Sequence, residues 1–451
     1  MSASDKQMSD FESRRRFLKG AGLVAMASTG IATGAATTAL AEVAAGAPHR
    51  LASGRGVEDF YGAHQAGIVT PQQRSSYFAA FDLTTGKRED VIAVLKAWTD
   101  AAARMARGQA VSSAAAVVSA PSPKQGQTDE YQAEQAPASS VDSGETEGLS
   151  AERLTITFGF GASLFSKDGH DRFGLATRRP EALIDLPEFA GDRLVDAQTG
   201  GDLSVQACAD DPQVAFHAMR QLARLADGVV QIRWVQAGFL PNTAKGETPR
   251  NLMGFKDGTH NPPVTDSPAM ARCVWAGDEG PGWMRGGSYA VFRRIRIALE
   301  HWDRMSVAFQ EQTIGRSKVS GAPLGKTKEF DQADFSASDK DGNLVIPENS
   351  HLRLASAVNS GTEILRRGYS YNDGVSFVAE RWPPWRQGLE YDAGLFFVCY
   401  QRDPRTGFVK LFERMAKLDM LNQFVTHVGG GLFACPGGIA PGEYIGQRLF
   451  T

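Results

Sequence analysis

The stretch Tyr77-Phe78-Ala79-Ala80-Phe81-Asp82-Leu83 is typical of a buried β-strand, because it is short, apolar and rich in aromatic residues. A predicted helix follows it along the chain. The apolar residues of this helix recur at alternating spacings of four and three, at Val91, Leu95, Trp98, Ala102 and Met105. That period places them on one face, so the sequence predicts a strand covered by an amphipathic helix.

The pattern continues towards the C-terminus. A second strand is predicted from the alternation of Leu154, Ile156 and Phe158. Asp211-Pro212 forms a good N-cap and first-turn pair for a helix that extends to about Ala226. Apolar residues then alternate once more, at Val230, Ile232 and Trp234. The predicted order of this half is therefore strand, helix, strand, helix, strand.

The second half of the chain repeats this organisation. A strand is predicted where Ile295, Ile297 and Leu299 alternate with Arg294, Arg296 and Ala298. A helix with Trp302, Met305 and Phe309 follows, then an apolar strand at residues 395–400 and a helix marked by Val409, Phe412 and Met415. Gly429-Gly430-Gly431 predicts a turn, since no Lys-Ser/Thr follows it as in a phosphate loop. The fold class is therefore α+β, with two halves that are each an antiparallel sheet backed by helices.

Composition limits the function. The chain has 451 residues, 42% hydrophobic and 22% charged, which is ordinary for a soluble globular protein. Its net charge of −3 gives no general attraction to nucleic acid or to anionic lipid. We therefore expect no nucleic-acid partner.

The N-terminus predicts export. Ser13-Arg14-Arg15-Arg16-Phe17-Leu18-Lys19 fits the twin-arginine motif, and Ala39-Leu40-Ala41 after an apolar, small-residue stretch fits a cleavage site. Residues 1–41 are therefore predicted to be a twin-arginine signal peptide, removed after export. The stretch is diluted by Gly, Ser and Thr, so we expect no permanent membrane span. Because this route carries folded proteins, often with a cofactor, the sequence predicts a periplasmic or extracellular cofactor protein.

A low-complexity segment and the spacing of the cysteines both limit where and how a cofactor is bound. Residues 109–149 are rich in Ser, Ala, Gln and Pro and predict a disordered low-complexity insertion, since they cannot bury enough apolar surface. The four cysteines are far apart, with no C-x-x-C pair and no C-x-x-C-H. That spacing disfavours both a covalently attached haem and a thiolate zinc site, and it leaves the pairing of the cysteines open.

One motif carries chemistry. An Asp between glycines is usually a turn, but Gly254-Phe255-Lys256-Asp257-Gly258 continues as Thr259-His260-Asn261-Pro262. This block resembles the G-x-x-D-G motif of the dye-decolourising haem peroxidases. Further blocks resemble the same family in the same order along the chain, among them His64-Gln65-Ala66-Gly67-Ile68, Ser350-His351-Leu352-Arg353, Leu365-Arg366-Arg367-Gly368-Tyr369 and Gly394-Leu395-Phe396-Phe397-Val398.

The resemblance implies a fold and a cofactor. It is strongest to the exported deferrochelatase/peroxidase proteins of bacterial iron uptake. The family fold consists of two ferredoxin-like halves that enclose a haem pocket, with one non-covalent haem b per chain. We accordingly expect an N-terminal half at residues 56–240 and a C-terminal half at residues 241–451 that carries the haem site.

The resemblance also assigns site residues. His351 lies at the family's proximal position and would bind the haem iron, held in one tautomer by an acceptor for which Asp403 is a weak candidate. Asp257 would act as the distal acid/base towards peroxide, and Arg366 would stabilise the charge that develops during O–O cleavage. The register of Arg366 against Arg367 is open by one residue.

Four further residues are candidates for binding the cofactor. His260 and Asn261 would contact a haem propionate, although a capped turn at Asn261-Pro262 explains them equally well. Arg353 would also reach a propionate. Phe397 would line the distal pocket, with a core position as the alternative.

Three functions remain open. The first is a peroxidase that uses hydrogen peroxide to oxidise dye-like or aromatic donors. The second is a deferrochelatase that removes iron from haem and leaves the porphyrin intact, and the third is a non-catalytic haem carrier. Asp257 and Arg366 argue against the carrier, because storage does not need a proton shuttle beside a cation. The resemblance adds iron-uptake components as partners and leaves a homodimer open.

Overall fold

The computed structural model describes residues 56–111, 142–244, 246–379 and 387–451. The predicted signal peptide and most of the predicted insertion, residues 112–141, lie outside the described residues. In the part that the structure describes, no helix is long and apolar enough to cross a membrane.

The first half is a βαββαβ unit. Its elements are β1 (Ser75–Leu83), α1 (Arg88–Met105), β2 (Thr155–Gly161), the short α2 (Ala162–Phe165), β3 (Leu203–Ala209), α3 (Pro212–Leu225) and β4 (Val230–Phe239). The strands pair in the order β2-β3-β1-β4 and are antiparallel throughout, as in a ferredoxin-like fold. The predicted cap is confirmed, since the Asp211 carboxylate accepts bonds from the backbone nitrogens of Gln213 and Val214.

The strand β3 is absent from the sequence-based order. All seven of its residues are buried, including the polar Ser204 and Gln206. Gln206 donates to the Ser76 hydroxyl at 3.1 Å and accepts from the Tyr400 hydroxyl at 2.8 Å. The sequence does alternate here, Leu203, Val205 and Ala207 against Ser204 and Gln206, but the polar face is buried and satisfied inside the protein rather than exposed.

The second half repeats the unit with longer connections. Its elements are α4 (Ser267–Cys273), β5 (Ser288–Ile297), α5 (Leu299–Trp302), α6 (Val307–Ile314), α7 (His351–Ala355), α8 (Ala357–Ser360), β6 (Leu365–Arg366), β7 (Tyr369–Ala379), β8 (Gln387–Gln401), α9 (Lys410–Leu418), β9 (Val425–Cys435) and α10 (Gln447–Phe450). The strand order β9-β5-β8-β7 matches that of the first half, so the predicted class of two ferredoxin-like halves is confirmed.

Three local predictions in this half are wrong. The single helix predicted after β5 is two short helices, and Leu299, predicted as the end of the strand, begins the first of them. The triple glycine is not a turn but lies inside β9. A side chain at Gly430 would place Cβ 2.1 Å from the carbonyl oxygen of Phe292 on β5. The glycines therefore allow close approach of neighbouring backbones rather than a reversal of the chain.

The two halves share one sheet. β2 pairs with β9 through Phe160 and Ala434, and β4 pairs with β7 through Phe239 and Ser370. With the β5–β8 pairing, these contacts close the strands into an antiparallel barrel. One cluster of buried side chains, rich in Phe and Tyr, lies on one face of this sheet, and a second packs beneath α1 and α3 on the other. All four cysteines are buried and free, so none forms a disulfide.

Candidate active site

The loop that follows β4 fixes Asp257. Its two glycines both adopt positive φ, +86° at Gly254 and +115° at Gly258, a region that other residues rarely enter. The Asn251 side chain accepts bonds from two backbone nitrogens of the loop, those of Met253 and Phe255. Its amide then donates to Asp257 Oδ2 at 3.4 Å. The G-x-x-D-G pattern is therefore a turn, as the residue types alone suggest, and it is a turn that aims a carboxylate.

Arg366 faces Asp257. The guanidinium nitrogen Nη1 lies 3.4 Å from Asp257 Oδ1, and each of the two side chains is about one-third exposed. Asn261 fixes the backbone of Arg366 through two bonds, donating to its carbonyl at 2.6 Å and accepting from its N–H at 2.8 Å. Asn261 thus positions the arginine, a role that neither sequence-based alternative included.

The register of the two arginines follows from the short strand β6. Successive side chains of a strand point to opposite faces, so only one of the pair can reach Asp257. Arg367 is almost fully buried and bonds to the carbonyl of Thr70 and to Gln73 Oε1. Arg366 is therefore the residue of the pair that faces the carboxylate.

His351 is the first residue of α7 and is paired with a buried carboxylate. Its Nδ1 lies 2.7 Å from Asp419 Oδ2, and the Asp419 side chain is only 2% exposed. Asp419 is held in turn by the backbone N–H of Leu421, 2.9 Å from its Oδ1. This arrangement leaves Nε2 as the ring nitrogen available to a metal.

Asp403, the sequence-based candidate for this acceptor, is wrong. Its carboxylate pairs with Arg405 at 2.8 Å, on the solvent side of the following turn. His351 and Asp419 are 68 positions apart along the chain, so no local sequence pattern connects them.

The charges of the site act on one another. Burial lowers the pKa of His351, but the Asp419 carboxylate outweighs this effect and raises it above its ordinary value. Arg366 and Asp257 also act on the His351 ring, the cation lowering and the carboxylate raising its pKa. The imidazole and the Asp257–Arg366 pair therefore belong to one site.

Arg316 is a cation that sequence reasoning missed. It is 5% exposed and donates through Nη1 to the carbonyls of Gly321 and Glu329. Its Nη2 is buried and has no hydrogen-bond partner among the described residues. Partial desolvation, with the charges of Arg316 and Arg366, lowers the pKa of the neighbouring His260. Arg316 therefore keeps one guanidinium nitrogen available to a bound group, and its charge would favour an anionic one.

Phe397 and Leu395 form the apolar wall. They line a cleft together with Asp257, Asn261 and Arg366, and its empty volume is about 550 Å³ including the mouth. Phe397 also packs against Phe408 at a centroid distance of 5.8 Å, so it contacts both the cleft and the core.

Arg353 has another contact. Its guanidinium donates to the carbonyls of Ile346, Pro347 and Phe335 and lies over the Phe335 ring. It therefore stabilises the loop that precedes α7, and no contact with the cleft supports the expected bond to a propionate.

These residues fit a haem. An imidazole oriented by a carboxylate is the usual axial ligand arrangement for iron. The unpartnered guanidinium nitrogen of Arg316 and the adjacent His260 suit the propionates, and Leu395 and Phe397 suit the apolar macrocycle. The Asp257–Arg366 pair would remain for the chemistry.

Comparisons with known proteins agree with this geometry. Two family models match, Dyp-type peroxidase N-terminal at residues 65–240 and Dyp-type peroxidase C-terminal at residues 248–440. A deferrochelatase of Escherichia coli strain K12 is 36% identical over 450 residues, covering 97% of this chain and 96% of that protein.

Solved structures show the same likeness. DtpA from Streptomyces lividans is 38% identical with a TM-score of 0.74, over 88% of this chain and 98% of DtpA. A DyP-type peroxidase from Streptomyces coelicolor is 39% identical with a TM-score of 0.73, over 87% of this chain and 97% of that one. From the two matching models and the relatives of this length, the chain belongs to the Dyp-type peroxidase family.

Proposed function

We propose that Asp257, Arg366 and His351 form the reacting centre of this chain, and that hydrogen peroxide is used there to oxidise dye-like or aromatic donors. Membership of the family makes the chain an enzyme with peroxidase activity and haem its cofactor. The observation that carries the proposal is the Asp257–Arg366 pair at 3.4 Å, electrostatically coupled to an imidazole that a buried carboxylate orients.

His351 and Asp419 would hold the cofactor. The acceptor at Nδ1 fixes the neutral tautomer in which the Nε2 lone pair faces the iron. Arg316 would supply positive charge to a propionate, and His260 would supply a hydrogen-bond donor. When bound, haem supplies the redox-active iron at which peroxide is reduced.

Asp257 and Arg366 would handle the peroxide. A carboxylate on the open side can take a proton from one peroxide oxygen and return it to the other, which lets water leave. Arg366 carries a fixed charge beside this carboxylate and stabilises negative charge as the O–O bond breaks. Asn251 and Asn261 hold the two side chains in register, each through hydrogen bonds within the site.

The test is steady-state oxidation of an anthraquinone dye by the haem-loaded protein. We expect Asp257→Asn and Arg366→Leu each to lower kcat/KM for peroxide by about 10²-fold or more, with the haem still bound. Asp278→Asn is the control, because Asp278 forms an exposed ion pair with Arg285. Full activity in both site variants would refute the assignment of roles.

Deferrochelation is the second candidate function, favoured by the 36% identity to proteins named deferrochelatase. This activity would release protoporphyrin from haem without consuming peroxide. Porphyrin fluorescence under anaerobic conditions, with no peroxide added, is the expected result. If no fluorescence develops while dye oxidation is intact, the chain is a peroxidase alone. Transfer of intact haem to apo-acceptors that Asp257→Asn leaves unchanged would favour a carrier.

We also propose that residues 1–41 direct export by the twin-arginine route and that the mature protein is periplasmic or extracellular. Replacement of Arg14 and Arg15 by Lys should retain the precursor in the cytoplasm, as cell fractionation would show. The division into halves at residues 56–240 and 241–451, an association with iron-uptake components and a homodimer are part of the same proposal.

A further inference from the structure

A second cluster of side chains that can bind a metal ion lies against α3. Asp142 and Glu145 follow residues 112–141 along the chain, and both carboxylates face His217 in the middle of the helix. His217 is 3% exposed, so its imidazole is a buried donor group. No residue of the cluster lines the cleft that contains Asp257.

The imidazole–carboxylate distances are long for hydrogen bonds. His217 Nε2 lies 3.6 Å from Asp142 Oδ2, and Nδ1 lies 3.3 Å from Glu145 Oε2. In the same protein, the imidazole–carboxylate bond of His351 and Asp419 measures 2.7 Å. The two carboxylates approach different ring nitrogens, and a shared ion would bind only one of these nitrogens. One oxygen of each carboxylate and one ring nitrogen lie within 4.8 Å of one another, close enough for one ion to draw them together.

The cluster also lacks positive charge. Arg220 contributes one cation, with Nη1 3.1 Å from Glu145 Oε1, against two carboxylates. The cluster therefore has a net negative charge when the imidazole is neutral, and a divalent cation would compensate it.

We propose that Asp142, Glu145 and His217 bind a divalent first-row transition metal ion such as Zn²⁺. The imidazole selects this class, because Ca²⁺ and Mg²⁺ prefer ligand sets made of oxygen alone. Asp142 Oδ2 also accepts a bond from the backbone N–H of Val111 at 2.7 Å. Val111 and Asp142 therefore lie next to each other, and the ion would hold this pair against α3.

The test uses the haem-loaded mature protein after treatment with EDTA, so that His351 is occupied by iron. Zn²⁺ is titrated calorimetrically, and thermal unfolding is followed at increasing Zn²⁺. We expect one Zn²⁺ per chain and a Tm that rises with Zn²⁺ concentration, since a ligand of the native state stabilises it by mass action. Ca²⁺ at the same concentrations should leave the Tm unchanged.

Variants locate the ion. His217→Gln, Asp142→Asn and Glu145→Gln should each weaken Zn²⁺ binding by at least tenfold, and the last two keep the proposal testable if the buried His217 variant does not fold. Glu147→Gln is the matched control, an exposed carboxylate on the same turn that should leave binding intact. Absence of saturable Zn²⁺ binding in the wild type would overturn the proposal, as would equal binding in Asp142→Asn and Glu145→Gln. Stabilisation of the wild type by acid and not by Zn²⁺ would instead assign the cluster to a protonated His217, and it would also overturn the proposal.

Discussion

Replacement of Asp419 by Asn tests how the protein orients His351. The Asp419 carboxylate serves two donors, His351 through Oδ2 at 2.7 Å and the Leu421 N–H through Oδ1 at 2.9 Å. An amide has only one oxygen, so Asn cannot accept from both. If it keeps the backbone bond, its NH₂ group faces Nδ1 and favours the tautomer that is protonated on Nε2. That tautomer has no lone pair for iron.

The magnitude follows from the burial of this pair. Loss of the carboxylate that hydrogen-bonds to a metal-binding histidine typically costs about 10–100-fold in metal affinity or activity. This factor corresponds to about 1.4–2.7 kcal/mol. We expect the upper part of this range, because Asp419 is 2% exposed and water cannot replace it. Folding should change little, since the amide retains the bond to the Leu421 N–H.

The assay is titration of the haem-free protein with haem, followed by the Soret band. Asp419→Asn should raise the haem Kd by about 10–100-fold and change the spectrum of the bound form. Asp403→Asn is the matched control, since Asp403 pairs with Arg405 and not with His351. Wild-type affinity and spectrum in Asp419→Asn, or an equal defect in Asp403→Asn, would refute the reasoning.

Three further outcomes are expected. Asn261→Ala removes both bonds that hold the backbone of Arg366. The reaction with peroxide should therefore slow by about 10–100-fold while haem affinity is retained. Stopped-flow absorbance measures the rate of this reaction, and an unchanged rate would contradict the positioning role. Trp98→Ala should lower the free energy of unfolding by about 3–5 kcal/mol, because the ring is 1% exposed and its Nε1 donates to a carbonyl of α3; urea unfolding checks this, and a loss below ~1 kcal/mol would be inconsistent with its burial. Two bonds from Arg402 lower the pKa of Glu279 from 4.5 to about 2, so Glu279→Gln should destabilise the protein above pH 4.5. The difference from wild type should shrink below pH 4.5 and vanish as the pH falls through 2. A difference that persists well below pH 2 would contradict the ionic origin.

The sequence predicted most of the helices and strands whose apolar residues recur at a regular spacing. The predicted apolar face of α1, the capped helix α3 and the strands β2 and β4 are confirmed, although both faces of β2 are buried and Ile232 of β4 is exposed. β3 was missed although its residues alternate between apolar and polar, and that pattern does not reveal that its polar face is buried against distant partners such as Ser76. The closure of the barrel through β2–β9 and β4–β7 depends on pairings across the whole chain, which no local pattern records.

At the active site, too, the sequence revealed residues in local motifs and missed residues that act through long-range contacts. Asp257 and Arg366 stand in recognisable motifs, and the structure brings them together. Asp419 and Arg316 do not, because each acts through a contact made only in the folded chain. A buried cation with an unpartnered nitrogen is recognisable only when its surroundings are known. Arg353 shows the converse, since its place beside His351 suggested a cofactor contact while its hydrogen bonds stabilise a loop.

The most direct test of the central claim is the absorbance spectrum of the haem-loaded mature protein before and after one equivalent of hydrogen peroxide, for wild type and Asp257→Ala. We predict a Soret band that shifts rapidly in the wild type and at least about 10²-fold more slowly in the variant. Equal rates in the two proteins would contradict the role of Asp257 as the proton carrier. Absence of any Soret band after addition of haem would contradict His351 as the iron ligand and, with it, the account of the site.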